Sequence, residues 1–336
     1  MRKTSLYQLF SFGIILLFAI SLVVAINGTA SADSCKNRGD LDTPFCDDDG
    51  DLLADTPKNQ DQWLDPGTLV FSYTAVEDPS VYENVFSELM DHIALKTGKK
   101  VKWYGPESYA AQVEAMRSGR LHVSGFAAGA TVYGVNLGGF HPLAMMGNKD
   151  GTFRGYQLWL ITHKDSDIKT VQDLKGRKIA HVTPSSNSGN QAPRALFKSM
   201  GVVPDVDYTV VYSGKHDNSI MGVVNKDYDA APIASTVMQR MMERGVFKPS
   251  EVRVIWKSDQ FPGTSYGCVY NLSPKLQEQI KNAFLTFDWK GSGLEKDFGK
   301  RANCFIAVDY TKHWNVIRTI QKANNVVYNQ EALSGL

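Results

Sequence analysis

Hydrophobic residues along this chain change their spacing in a regular order. One unbroken apolar run, residues 9–26, stands near the N-terminus, and no later stretch matches it. From Gly67 onward, short runs rich in β-branched and aromatic residues alternate with stretches whose apolar positions recur every three to four residues. The first kind suits a strand buried on a sheet, and the second lays one face of a helix against it. This spacing predicts strands over 68–75, 100–104, 122–126, 158–162, 208–212 and 230–233. It predicts helices over 81–97, where Val85, Leu89 and Ile93 share a face, and over 109–118, 276–287 and 314–324. Residues 171–180 read as a short helix, a turn at Gly176 and another strand. The alternation is that of an α/β protein with largely parallel sheets. About 270 residues of it exceed one ordinary domain, so two α/β lobes are expected.

The leading segment sets the compartment. Arg2 and Lys3 precede the apolar run, and Ala30-Ser31-Ala32 follows with the small-x-small spacing a signal peptidase accepts. Residues 1–32 therefore read as a cleaved secretory signal and the protein as exported. The alternative is an uncleaved anchor, because about 20 apolar residues span a bilayer. Cys35 lies close enough to suggest lipidation, but Ala32-Asp33-Ser34 lacks the residues that usually precede a lipidated cysteine. The mature chain keeps four cysteines, an even number in an oxidising compartment. Three pairings are open. The favoured one joins Cys35 to Cys46 across a short loop and Cys268 to Cys304 across one C-terminal unit. No C-x-x-C or paired histidine accompanies them, so neither zinc nor another cofactor is expected.

Charge refines this picture. A formal net charge of +1 with 21% charged residues excludes a polybasic nucleic-acid binder. The total conceals a split: residues 33–55 carry eight Asp against Lys36 and Arg38, a net of −6, whereas the chain from Thr56 onward carries +5. A mildly basic body assists anion capture slightly. The acidic leader, residues 33–66, gathers Asp47, Asp49, Asp51 and Asp55 around Gly50, a composition that suits calcium. The EF-hand register fails, since counting from Asp47 places Leu52 where glycine is required. A solvated, disulfide-tied leader is the expected reading.

Candidate chemistry concentrates at strand-to-helix junctions. Residues 179–193 leave an apolar strand through Ser185-Ser186-Asn187-Ser188-Gly189 and enter a helix containing Leu196 and Phe197. Unpaired N–H groups at a helix start suit a tetrahedral oxyanion, and Ser186, Asn187 and Ser188 add side-chain donors. Read alone, the same residues are an ordinary helix cap. A second junction, Gly214-Lys215-His216, offers an imidazole whose pKa a bound anion would raise. Alone, it is a solvated histidine. Asp229, before the strand over 230–233, can accept a proton from a protonated ligand oxygen; alone, it is a loop acid. Gly263-Thr264-Ser265-Tyr266-Gly267 matches G-x-S-x-G, but Cys268-Val269-Tyr270 continues as a strand where a nucleophile elbow needs a helix. A secreted serine hydrolase and a calcium-binding surface protein are thus distant alternatives. No Walker loop, strand-linked G-x-G-x-x-G or H-E-x-x-H occurs, and no catalysis is expected.

From about Gly67 to the C-terminus the chain resembles the phosphonate- and phosphite-binding proteins of bacterial ABC importers. The resemblance rests on Glu77-Asp78-Pro79, on Ser108-Tyr109-Ala110-Ala111-Gln112-Val113-Glu114-Ala115-Met116, on Gly155-Tyr156 and on Ser186-Asn187-Ser188-Gly189. It continues through Gly214-Lys215-His216, Asp229-Ala230-Ala231 and Val254-Ile255-Trp256-Lys257-Ser258, which leads to Pro262-Gly263. It implies a type II periplasmic binding protein, two α/β lobes joined by a two-strand hinge. Lobe 1 would comprise residues 67–161 and 258–336, lobe 2 residues 162–257, with crossings near Thr162 and Ser258. It further implies a monomer that hands a small phosphorus oxyanion to an inner-membrane permease. Position by position, it implies ligand contacts at Ser186, Ser188 and Asn187, the last standing where the family commonly has threonine. It adds His216, Tyr109, Tyr156 and, as proton acceptor, Asp229. Where relatives that take aminoethylphosphonate have two carboxylates, this chain has Thr236 and Thr264. A buried ammonium would lack its counter-charge there. The expected ligand is therefore amine-free, phosphite or methylphosphonate, with phosphate or an aminoalkylphosphonate as the alternative. Phe126, Phe261 and Tyr266 are candidate walls against the apolar fourth substituent.

Overall fold

The computed structural model describes residues 35–334. The secretory segment and the cleavage after Ala32 lie outside the described residues. Eleven strands form among the described residues: β1 Thr68–Tyr73, β2 Lys100–Tyr104, β3 Val123–Phe126, β4 Phe140–Gly147, β5 Leu158–His163 and β6 Lys178–His181, then β7 Thr209–Tyr212, β8 Ala230–Ala234, β9 Val252–Lys257, β10 Ser265–Val269 and β11 Cys304–Ala307. They make two sheets. The first lobe holds six strands in the order β11-β4-β10-β3-β1-β2, and the second holds five in the order β7-β6-β8-β5-β9.

The sheets are mixed rather than largely parallel. β1 runs parallel to β2 and β3, and β6 to β7 and β8. β10 is antiparallel to β3 and β4, and β5 to β8 and β9. The antiparallel strands include those that flank the crossings, where the chain passes from one sheet to the other with no intervening helix. The boundary expected near Thr162 is corrected accordingly. Leu158 pairs with Ala234 and Thr162 with Ala230, so all of β5 belongs to the second lobe and the first crossing precedes Leu158. In the crossings Tyr156 and Phe261 exchange both backbone hydrogen bonds, at 3.0 and 2.8 Å.

A helix over Ala128–Gly138, unannounced by periodicity, is buried at every position and packs beneath the first sheet. Gly139, at φ 63°, ends it in the left-handed region. The helix Tyr109–Arg117 begins at Ser108, whose Oγ accepts from Ala111 N–H at 3.1 Å. No helix among the described residues is long and apolar enough to cross a membrane.

Cys35 and Cys46 are bonded, as expected, but Cys268 and Cys304 are free thiols. β4 separates them: Cys268 pairs with His141 on one side of it, and Cys304 with Gly147 on the other. Six residues of strand put them roughly 20 Å apart along β4, beyond disulfide reach. The acidic leader is docked rather than solvated. Leu41, Phe45 and Ala54 are buried, Phe45 meets Tyr270 edge-on at 5.1 Å, and Asp42 pairs with Arg117. Asp47, Asp49 and Asp51 bring carboxylate oxygens within 4.8 Å of one another. Asp47 spends both oxygens on the Gly50 and Leu52 N–H groups, and Asp55 turns away to accept from Asp48 N–H. This arrangement is that of a self-capped acidic turn.

Candidate functional site

Between the lobes lies a cavity of about 60 Å³. Both halves of the chain supply its wall: Tyr73, Val76, Tyr109 and Gly129 from the first lobe, Ser186, Asn187, Ser188, His216 and Thr236 from the second, and Arg154, Tyr156 and Thr264 from the crossings.

The second lobe's contribution begins at the C-terminal end of β6. The chain leaves His181, turns through Ser185 and Ser186, and starts its helix with one π-type turn, Asn187–Gln191, before Ala192–Ser199. Ser186 is the cap, with Oγ accepting from Gly189 N–H at 3.1 Å. Pro193 occupies the first turn, where a missing N–H leaves no bond unmade. The wider turn opens the backbone at Asn187 and Ser188 toward the cavity, as π-turns do at many binding sites. Tyr156 reaches this turn from the hinge and accepts from Asn187 Nδ2 at 3.0 Å.

His216 opens the helix His216–Val224 and is fully enclosed. Its Nδ1 accepts from Ala234 N–H at 3.1 Å, which assigns the proton to Nε2, and Nε2 faces Ser186 Oγ at 3.4 Å. Burial, then the nearby Arg240 charge, pushes its pKa down to about 3. The ring is therefore a neutral donor, not the cation a raised pKa would make it. Burial pushes the Tyr156 hydroxyl up to about 12, and Tyr109, whose hydroxyl meets Ser186, well above its ordinary value. Both remain protonated donors.

Asp229 is not at the cavity. β6 and β8 run parallel, and Asp229 precedes β8, so its carboxylate sits at the opposite end of the sheet and accepts from Lys178 N–H at 2.7 Å. The cavity opens where α/β sheets place ligands, beyond the carboxyl ends of the strands. The three proposed aromatic walls also lie elsewhere. Phe126 packs on Phe140 at 4.8 Å, Phe261 on Tyr156 at 5.7 Å outside the cavity, and Tyr266 on Phe305 at 4.8 Å within the core. Apolar contact comes instead from Val76, Ala127, Ala128, Met146 and Val237. Thr236 and Thr264 do face the cavity, and among the described residues no carboxylate lines it. Ser265 is buried in β10 with Oγ 2.6 Å from Thr131 Oγ1, and the chain forms no nucleophile elbow there.

Two arginines escaped the sequence reading. Arg154 comes immediately before the Gly155-Tyr156 pair, and Arg240 follows Thr236 by four residues on one helix face. Both line the cavity. Arg240 is committed to Glu77 at 3.0 Å, and Glu77 also receives Arg244 and the Tyr82 hydroxyl. Glu77 stands on the first lobe and both arginines on the helix Ser235–Glu243 and its C-cap, so this buried cluster ties the lobes together. His216 N–H donates to Val76 O at 3.1 Å across the same gap.

The family model described as "ABC transporter, phosphonate, periplasmic substrate-binding protein" matches residues 71–314. The chain belongs to this family. The "Phosphate-import protein PhnD" of Mycolicibacterium smegmatis is 28% identical over 274 residues, 79% of this chain and 85% of the relative. A binding-protein component of an ABC phosphonate transporter from Pseudomonas aeruginosa superposes with a TM-score of 0.67 at 21% identity, covering 80% of this chain and 93% of that one. PhnD1 of Prochlorococcus marinus, solved in complex with methylphosphonate, gives 0.65 at 17% identity, over 78% and 99% of the two chains. These structures share the two-lobe type II fold. As a member of the phosphonate-binding family, the protein is a periplasmic receptor of an ABC importer, and the family is one of transport receptors rather than enzymes.

Proposed function

We propose that this receptor captures a small, amine-free phosphorus oxyanion, phosphite or methylphosphonate, and delivers it as a monomer to an inner-membrane permease after cleavage of its signal behind Ala32. One observation carries the reading. Donors from Ser186, Ser188, His216, Tyr109 and Tyr156 line a cavity that no carboxylate among the described residues joins. Its 60 Å³ has room for roughly four to six water-sized groups, the size of a tetrahedral oxyanion. An ammonium arm would meet Thr236, Thr264 and Arg154 there, neutral or repulsive partners for a desolvated cation.

A second reading, phosphate, is favoured by Asn187. Its Oδ1 is buried without a protein partner and can accept a P–OH proton in place of Asp229. The apolar Met146 and Val237 favour P–H or P–CH3 instead. Calorimetric titration of the mature chain with phosphite, methylphosphonate, phosphate, sulfate and aminoethylphosphonate tests both. Tightest binding of phosphite or methylphosphonate is expected. Tightest binding of phosphate selects the second reading, and preference for aminoethylphosphonate or for no phosphorus anion refutes both.

A further inference from the structure

Among the described residues, Arg154 is the one guanidinium lining the cavity that no carboxylate compensates. Its Nε and Nη2 atoms are buried and have no protein partner, while Nη1 reaches only the Met146 sulfur at 3.7 Å, a weak acceptor. The guanidinium rests on the Phe298 ring, 5.1 Å from its centroid. It forms no ion pair with any described residue, whereas Arg240 beside it is neutralised by Glu77. Burial, then Arg240, lowers its pKa to about 10, so it stays charged at neutral pH. A buried, unpaired cation is unfavourable in the empty protein and becomes favourable once an anion arrives. The same cavity is lined by neutral donors: the Ser186 and Ser188 hydroxyls and His216 Nε2–H.

We propose that Arg154 contacts the ligand and makes the receptor select the doubly ionised oxyanion over the singly charged form. Neutral donors hold one ionised face of the ligand, and the guanidinium holds the second charge. Thr236 and Thr264 offer hydroxyls rather than a carboxylate that would repel a dianion. The inference rests on the proposed function but does not depend on which phosphorus oxyanion is taken.

The charged and titratable groups around Arg154 are Arg240 on the helix Ser235–Glu243, Arg301 after the helix Gly293–Phe298, Tyr73 on β1 and Tyr266 on β10. Glu77 and Asp297 interact with Arg240, and His216, Tyr109 and Tyr156 line the same cavity. In the unliganded protein His216, at about 3, is neutral from pH 5.5 upward, and any rise caused by a bound anion would strengthen binding in acid, opposite in sign to the loss expected from the ligand. A loss of affinity as pH falls through the titrated range then reports the ligand's own second ionisation.

The test compares the mature wild type with Arg154→Gln and Arg154→Lys, titrated from about pH 5.5 to 8.5 with phosphite, methylphosphonate and inorganic phosphate. The monomethyl ester of methylphosphonate serves as a probe that carries one charge at every pH. Wild type should lose about tenfold in affinity per pH unit below the ligand's second ionisation and bind the monoester far more weakly than the dianions. Arg154→Gln should bind dianions and monoester alike with a flat pH profile, and Arg154→Lys should retain the wild-type slope. Unfolding of the unliganded Arg154→Gln protein should occur at the wild-type temperature or above, because an unpaired buried charge has been removed. Wild-type affinity and slope in Arg154→Gln would overturn the inference alone. Failure of wild type to bind any phosphorus probe would overturn the proposed function with it.

Discussion

Removal of Glu77 probes whether the ionic cluster between the lobes holds the receptor closed. Glu77 is 2% exposed and Arg240 4%, and Arg244 and Tyr82 converge on the same carboxylate. Taking away one partner of a buried pair leaves the other charge without compensation, at a cost of about 3 to 5 kcal/mol. Within either lobe alone the pair does not exist, because Glu77 follows β1 and Arg240 belongs to the second lobe. Opening the cleft returns Arg240 to water, so the cost falls on the closed, ligand-holding state. At 1.4 kcal/mol per decade, Glu77→Ala should weaken binding by about 100-fold to 4,000-fold. Glu77→Gln keeps an acceptor for Arg240 and should fall between the two. The assay is calorimetric titration with the phosphorus oxyanion that wild type binds most tightly, paired with small-angle scattering with and without it. The alanine variant should scatter as the more extended particle in the absence of ligand. Wild-type affinity and an unchanged radius of gyration would refute the reasoning, as would a large loss of thermal stability with affinity preserved.

Three further outcomes follow from the same structure. A Cβ on Gly129 would stand 2.3 Å from Ser185 O and 2.7 Å from Asn187 N, on the far lobe. Gly129→Ala should therefore cost about 1 to 3 kcal/mol of closure, 5- to 150-fold in affinity, without lowering the melting temperature; unchanged affinity would show that the lobes need not approach this closely. His216 and His181 are held down at about 3 and about 4 by burial, with the Arg240 charge adding to the effect at His216. Below the unfolded-state value near 6.5 the unfolded chain takes protons these rings refuse, so stability falls as pH drops from about 6.5 toward 4, by about 1.4 kcal/mol per unit for each ring. Urea unfolding at pH 7.5 and pH 5 checks this, and equal free energies at the two pH values would contradict it. Alkylation of the denatured mature chain should modify two cysteines before reduction and four after it. No modification before reduction would restore the Cys268–Cys304 bond.

What was legible in the sequence was local chemistry. The Ser186-Asn187-Ser188 turn and the His216 junction follow from capping and helix-start physics, which act over a few residues, and both now face one cavity. The alternating strands and amphipathic helices were legible because one buried face against one wet face leaves a periodic trace. The helix Ala128–Gly138 leaves no such trace, being buried on all sides, and this hid the floor of the first lobe. Asp229 was misplaced because its sequence neighbourhood does not record strand direction; parallel pairing of β6 and β8 sends it to the far end of the sheet.

The sequence by itself determined a two-lobe α/β architecture and a set of hydrogen-bond donors suited to an oxyanion, since both are written in spacings of a few residues; the receptor role came from the family resemblance. Tertiary structure alone decided the thiols, which β4 keeps apart, and the charge of the cleft. Whether an arginine is a structural cation or a ligand contact depends on which carboxylate lies beside it. Glu77 reaches Arg240 across the gap between the lobes and leaves Arg154, whose guanidinium reaches only a methionine sulfur among the described residues, for the ligand. That pairing joins residues more than 160 positions apart, and no local pattern in a chain encodes a contact of that range.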